Sequence, residues 1–138
     1  MKKYAIISIA FSLLLTGHLI AQDTLSVPKK GKKRILFGTA SYYANKFEGR
    51  KTANGEIFSQ QKMTAACNVL PLGTWIKVTN LRNGKSVIVR TNDRLHPRMT
   101  RIVDLSRAAA SRLGYIRAGL TRVKVEVLGK KKPSNEDD

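Results

Sequence analysis

The chain has 138 residues, a length typical of one domain. Lys and Arg number 26 against 9 Asp and Glu, and the net charge of +17 indicates an anionic partner such as nucleic acid, a membrane surface or a cell-wall polymer. Hydrophobic residues make up 42% of the chain, which excludes wholesale disorder. One Cys excludes a disulfide scaffold, and two His are too few for a histidine-rich metal site, so we expect no metal and no cofactor.

The first residues have the order of a secretory signal peptide. A cationic start at residues 1–3 precedes an apolar run over 4–15, which is too short for a comfortable membrane span, and 19–21 offer a cleavage point. The alternative is an N-terminal core helix or an uncleaved anchor. Because the only cysteine is Cys67, we expect no lipidation at a signal-peptide cysteine. We therefore predict export to the periplasm or cell envelope, which disfavours nucleic acid as the partner.

The rest of the chain divides by composition into three parts. Residues 22–34 are rich in lysine and are predicted to form a basic linker, and residues 129–138 a disordered charged tail. The segment 35–128 remains as the folded domain.

Within that domain the hydrophobic pattern mostly predicts strands. Alternation or apolar runs indicate strands at 36–43, 74–80, 85–90 and 122–127, and Asn83-Gly84 predicts a type I′ hairpin between the second and third of these. One helix is predicted over 107–113, with Ser106 as its N-cap and Gly114 as its end. Several short strands and one short helix favour a small closed barrel.

The domain contains five carboxylates. Glu126 alternates with valines on a strand and is predicted to face solvent, and Glu48 lies among cations where a surface ion pair is expected. Glu56 lies in a turn-forming loop, Asp93 directly follows a strand, and Asp104 precedes the helix. Two or three carboxylates at strand ends near cations suit general acid and base chemistry on a glycosidic bond. The alternatives are that Asp104 caps the helix, Asp93 lies in a turn and Glu56 is a solvated loop residue.

Other reactive or aromatic side chains have two interpretations each. Cys67 and His96 form a possible nucleophile–base pair, although a buried inert thiol and a surface histidine are the favoured interpretation. Aromatic side chains could form a sugar-stacking platform or belong to the core, and for Trp75 the core is favoured. The aromatic set is Tyr42, Tyr43, Phe47 and Trp75.

A series of short motifs in this order resembles the rare lipoprotein A (RlpA) family. The resemblance covers about 37–128 and implies a mainly β fold, a six-stranded double-psi β-barrel with one or two short helices. The motifs are Gly-Thr-Ala-Ser-Tyr-Tyr at 38–43, Gly-Arg-Lys-Thr-Ala-Asn-Gly-Glu at 49–56, Met-Thr-Ala-Ala at 63–66, Leu-Pro-Leu-Gly-Thr at 70–74, Val-Thr-Asn-Leu-Arg-Asn-Gly at 78–84, Asn-Asp-Arg at 92–94 and Ile-Val-Asp-Leu-Ser at 102–106.

The resemblance implies a lytic transglycosylase that acts on peptide-poor peptidoglycan glycan strands. The β-1,4 bond between N-acetylmuramic acid and N-acetylglucosamine would break by attack of the muramic acid 6-hydroxyl, which leaves a 1,6-anhydro end. The implied catalytic residues are Glu56, Asp93 and Asp104, with Asp93 as acid/base and Glu56 as its partner. The implied substrate-binding residues are Tyr42, Tyr43, Thr52, Asn54, Asn92 and Arg94.

Two positions depart from the family pattern. The family usually has His where this chain has Cys67, and its Asp-Arg-Gly-Pro loop here contains Leu95 and His96. His96 either replaces the missing histidine in space or leaves the site weakened. The rival hypothesis is therefore a non-catalytic, expansin-like module that binds cell-wall polysaccharide.

Overall fold

The computed structural model describes residues 31–134, so the predicted signal peptide, most of the basic linker and the end of the tail lie outside the described residues. Six strands close into a barrel in the order β1-β5-β2-β4-β3-β6, with one α-helix and one turn of 3₁₀ helix. The predicted mainly β, six-stranded barrel is confirmed. Its elements are β1 Ile35–Tyr42, the 3₁₀ turn Asn45–Phe47, β2 Thr64–Ala66, β3 Trp75–Asn80, β4 Ser86–Asp93, β5 Val103–Leu105, α1 Arg107–Leu113 and β6 Thr121–Gly129.

Alternating apolar residues of the long strands fill the barrel. Ile76 and Val78 of β3, and Val123 and Val125 of β6, are almost completely buried, and the residues between them are more exposed. The long strands pair antiparallel, whereas β1 pairs with β5, and β2 with β4, in parallel. The short strands β2 and β5 therefore close the barrel between longer neighbours.

The turn between β3 and β4 differs from the predicted type I′ hairpin. Gly84 has a φ of 76°, but no non-glycine residue within 31–134 has a positive φ, so Asn83 lacks the conformation that a type I′ turn requires. The loop is longer and closes through Gly84 N–H donating to Asn80 O at 2.8 Å. A tertiary contact accompanies this conformation, because the Asn83 side chain donates to Leu113 O at the end of α1, at 2.8 Å.

The helix has the predicted bounds and cap. Ser106 Oγ accepts from Ala109 N at 3.3 Å, and Gly114 ends the helix with a φ of 75°. Ala109 and Leu113 are buried against the barrel. Asp104 does not cap this helix, so that interpretation of Asp104 is wrong.

The environments predicted for two carboxylates are also wrong. The Glu126 side chain is only 15% exposed, and it pairs with Lys33 at 3.3 Å and Lys124 at 3.7 Å instead of facing solvent alone. Glu48 forms no ion pair among the described residues, and its carboxylate accepts instead from a backbone amide, Gln60 N, at 2.7 Å.

Contacts with the barrel continue beyond the predicted bounds of the domain. Arg34 O accepts from Val127 N at 2.9 Å on one side. On the other side, Lys130 Nζ donates to Leu72 O at 2.6 Å. The start of the predicted tail therefore lies against the barrel. Between residues 31 and 134, no helix is long and apolar enough to cross a membrane.

Candidate active site

The strand register brings two of the predicted catalytic carboxylates to one groove of about 560 Å³. Ala66, the last residue of β2, pairs with Asp93 of β4 on one side and with Asp104 of β5 on the other. Because the alanine side chain is small, the space between the two carboxylates stays open. Tyr42, Tyr43 and His96 also line this groove, together with Ala44, Lys46, Phe47, Arg94, Leu95, Met99 and Arg101.

Among the described residues, only neutral donors bind Asp93. Its Oδ1 accepts from the backbone amides of Ala53 and Arg94 at 2.9 and 2.8 Å, and its Oδ2 accepts from the Tyr43 hydroxyl at 2.6 Å. Three donors fix the carboxyl group in position, and no guanidinium or ammonium group pairs with it among residues 31–134. Asp93 is therefore held in position at the groove without an ion pair, where its carboxyl group can reach a bound substrate.

Tyr43 holds Asp93 from a packed aromatic cluster. Its side chain is 9% exposed and stacks on Phe58 at 4.1 Å, with the Phe47 ring edge-on at 5.7 Å. Burial raises the pKa of the Tyr43 hydroxyl, and the hydrogen bond to Asp93 and the charge of Asp93 raise it further. Tyr43 thus remains a protonated donor, and its hydroxyl is engaged by Asp93 and not free for substrate.

Glu56 occupies a different environment from Asp93. Its Oε1 accepts from Arg90 Nη2 at 2.5 Å and from Asn54 Nδ2 at 2.7 Å, and its Oε2 accepts from Asn92 Nδ2 at 3.3 Å. The hydrogen bond from Arg90 is the main cause that lowers the Glu56 pKa, against a smaller opposing effect of burial. Glu56 is therefore ionised at neutral pH and does not line the groove, so it is unsuited to donate the proton.

The ion pair of Glu56 predicts a pH-dependent contribution to stability. Because the folded-state pKa is lowered, the contribution is present above the unfolded-state pKa and is lost as the pH falls through the folded-state pKa. The Glu56 side chain is 35% exposed, so solvent screening keeps this contribution below about 1 kcal/mol. Urea unfolding of wild type and Glu56→Gln across a pH series should show a difference at neutral pH that disappears in acid. A difference that persists unchanged in strong acid would contradict the ion pair.

Three of the predicted substrate-binding residues support the loop that carries Glu56. Thr52 Oγ1 donates to Asn54 Oδ1 at 2.6 Å, and Asn54 N donates to Asn92 O at 3.2 Å. Asn92 is 2% exposed, and its Oδ1 has no hydrogen-bond partner among the described residues. These side chains fix the loop against the end of β4, next to Asp93.

Asp104, the third candidate, forms an ion pair with a neighbouring cation. Arg101 Nε and Nη2 donate to its two carboxylate oxygens at 2.8 and 2.9 Å, and these hydrogen bonds raise the Arg101 pKa. The Asp104 side chain is 14% exposed. Its carboxylate lines the groove as one half of a two-pronged ion pair. No three His, Cys, Asp or Glu side chains within 31–134 are grouped closely enough to hold a metal.

The two residues that depart from the family pattern, Cys67 and His96, occupy different environments. Cys67 is 1% exposed within the core, as the inert-thiol interpretation predicts. The Arg94 guanidinium, predicted to bind substrate, donates to the backbone carbonyls of Cys67 and Leu70 and so braces this turn. His96 is exposed at the groove wall, where its Nδ1 accepts from Arg98 N at 3.2 Å.

The aromatic residues divide between the groove and another surface. Tyr42 lines the groove, with its hydroxyl donating to Ile116 O at 2.9 Å and its ring edge-on to Tyr115 at 5.9 Å. Trp75 lies outside the groove and is only half-buried, so the core prediction for Trp75 is wrong.

The sequence analysis did not identify Arg90 and Arg101, which are the ion-pair partners of Glu56 and Asp104. Arg90 lies two residues before Asn92 on a strand whose side chains alternate between two faces. This spacing, which places both side chains on one face, could have identified Arg90.

Comparison with solved structures defines the class of fold. The domain is similar to a Clavibacter michiganensis expansin, with a TM-score of 0.57 and 22% identity over 73% of this chain and 52% of the expansin. It is also similar to the Streptomyces papain inhibitor, with a TM-score of 0.55 and 20% identity over 68% of this chain and 94% of the inhibitor. These likenesses support the predicted double-psi β-barrel.

The chain belongs to the lytic transglycolase family, which matches residues 36–125. The endolytic peptidoglycan transglycosylase RlpA of Pseudomonas aeruginosa strain UCBPP-PA14 is 56% identical over 91 residues, covering 66% of this chain and 27% of that protein. The RlpA of Vibrio cholerae strain N16961 is 48% identical over 97 residues, covering 70% of this chain and 37% of that protein. The chain thus spans well under half the length of these relatives, and the predicted RlpA-like family is confirmed.

Proposed function

We propose that this domain is an exported lytic transglycosylase that cleaves the β-1,4 bond between N-acetylmuramic acid and N-acetylglucosamine in peptide-poor peptidoglycan strands. The relatives named as endolytic peptidoglycan transglycosylases support this activity. The observation that carries the proposal is the arrangement of Asp93 and Asp104 across Ala66 in one groove, with Asp93 held by two backbone amides and the Tyr43 hydroxyl.

In the proposed reaction, Asp93 is both the acid and the base. Protonated Asp93 gives its proton to the glycosidic oxygen as the bond from C1 of the muramic acid to that oxygen breaks. The resulting Asp93 carboxylate then accepts the proton of the muramic acid 6-hydroxyl as O6 bonds to C1. Atoms and protons balance without water, and Asp93 returns to its protonated state.

The other two carboxylates are assigned supporting roles. The negative charge of Asp104 stabilises the oxocarbenium-like sugar within the groove. Glu56 fixes the loop from which Ala53 N donates to Asp93 Oδ1 at 2.9 Å. Since Glu56 is paired with Arg90 and does not line the groove, we assign it as a positioning residue.

A non-catalytic wall-binding module remains the second candidate, and the replacement of the family histidine by buried Cys67 favours it. The mature chain should be incubated with purified, peptide-free glycan strands, and the products searched for 1,6-anhydro ends by mass spectrometry. Release of these ends supports the enzyme. Co-sedimentation of protein with intact strands, without anhydro product, would instead establish the binding module and overturn the proposed activity.

A further inference from the structure

A second groove, of about 440 Å³, lies beside the barrel and shares no lining residue with the candidate active site. Its walls come from the outer faces of β3 and β4, the last turn of α1 and the residues after β6. Trp75, Arg90 and Arg112 contribute to these walls, together with Lys132 and Ser134 from the start of the predicted tail.

The second groove is electropositive. Arg90, Arg112 and Lys132 line it, and none of the carboxylates within residues 31–134 does. Arg90 is already paired with Glu56, but Arg112 makes no ion pair within residues 31–134. Arg112 and Lys132 therefore provide the cationic donors for an incoming anion.

Two further features suit a sugar carrying that anion. Trp75 is half-buried in the groove wall, and Lys132 Nζ lies 6.0 Å from the centre of its ring. An indole is a flat apolar surface of the kind that packs against a sugar ring. Thr64, which lines the groove, is 6% exposed, and its Oγ1 has no hydrogen-bond partner among the described residues. A buried hydroxyl without a partner is unusual in a folded protein, and a polar ligand would satisfy it.

We propose that this second groove binds an oxyanion carried on a sugar, either a carboxylate or a phosphate, of an acidic glycan. The guanidinium group of Arg112 and the ammonium group of Lys132 bind the anion, and Trp75 packs against the sugar. The site is separate from the groove of Asp93, so its occupancy does not depend on cleavage of the glycan.

Trp75 is the only tryptophan of the chain, so its fluorescence reports directly on this groove. The mature protein should be titrated with N-acetylmuramic acid, with N-acetylglucosamine 1-phosphate, and with neutral N-acetylglucosamine as the matched control. We expect a saturable change in Trp75 fluorescence with the carboxylate sugar, the phosphate sugar or both, and no change with the neutral sugar. The charged sugar that causes the change identifies the anion. An equal response to the neutral sugar, or no response to any of the three, overturns the proposal.

Variants at the two cations test the assignment. Arg112→Gln and Lys132→Gln should each weaken binding about tenfold, because each removes a charge-assisted hydrogen bond. Arg112→Lys, which keeps the charge, should bind within a few-fold of wild type, and this variant separates loss of charge from loss of folding. Arg117→Gln, at an exposed arginine outside the groove, is the control and should bind as wild type does. Unchanged affinity in both Gln variants, or equal weakening in the Arg117 control, overturns the proposal.

Discussion

Asp93→Asn is expected to reduce the release of 1,6-anhydro ends by about 10³-fold, within the range that general acid–base catalysis contributes. Asparagine has the same shape, and its Oδ1 can still accept from the amides of Ala53 and Arg94 while its Nδ2 donates to the Tyr43 hydroxyl oxygen, which lies 2.6 Å from Asp93 Oδ2. It cannot transfer a proton, so the loss should fall on kcat while strand binding persists. The measurement is the initial rate of anhydro-end release, followed by mass spectrometry on peptide-free strands.

Asp104→Asn is the matched comparison for Asp93→Asn, since both residues line one groove and both flank Ala66. Loss of one charge that stabilises the transition state, without loss of the proton donor, should cost less than the Asp93 change, about tenfold to a hundredfold. Circular dichroism should show both variants folded. The assignment is wrong if Asp104→Asn abolishes the reaction while Asp93→Asn keeps near wild-type activity.

Glu56→Gln is expected to lower kcat by about 10²-fold, although Glu56 transfers no proton in this account. Glutamine keeps one oxygen for Arg90 Nη2, which lies 2.5 Å from Glu56 Oε1, but it removes the charge that pairs with the guanidinium group. Its amide NH2 group would also face Asn92 Nδ2, a donor that now bonds Glu56 Oε2, so the loop of Glu56 is held less firmly. That loop carries Ala53 N, a donor to Asp93, and displacing a catalytic group by about 1 Å is enough for a loss of this size.

The control for Glu56→Gln is Glu48→Gln. Glu48 is another loop glutamate, but within residues 31–134 its carboxylate accepts only from Gln60 N, at 2.7 Å, and glutamine retains an oxygen for that bond. Activity and stability should both stay near wild type in the control. Wild-type kcat in Glu56→Gln would remove Glu56 from the site, and a raised KM alone would indicate a substrate contact instead of positioning.

The long strands and the helix were predictable because their side chains alternate or carry clear end signals. Val123 and Val125 show a period of two residues, and Ser106 and Gly114 mark the two ends of α1. The strands β2 and β5 have three residues each, too few for a period to be read. The Asn83 turn was mispredicted because its side chain is bound to the helix end, a contact that no local pattern encodes.

The identities of the candidate carboxylates followed from sequence, but their environments did not. The register that places Asp93 and Asp104 on either side of Ala66 arises from two strand pairings between distant segments. The difference between Asp93, with neutral donors, and Glu56, with Arg90, likewise depends on which side chains meet in three dimensions. Arg94 fitted a substrate-binding motif, yet its guanidinium group binds backbone carbonyls.

Cleavage in water labelled with heavy oxygen tests the central claim most directly. If Asp93 accepts the 6-hydroxyl proton while O6 bonds to C1 of the same sugar, the new ends are 1,6-anhydro-muramic acid without labelled oxygen. Asp93→Asn then forms none of these ends. Reducing muramic acid ends that carry labelled oxygen would show that water attacks the bond, and would contradict the account.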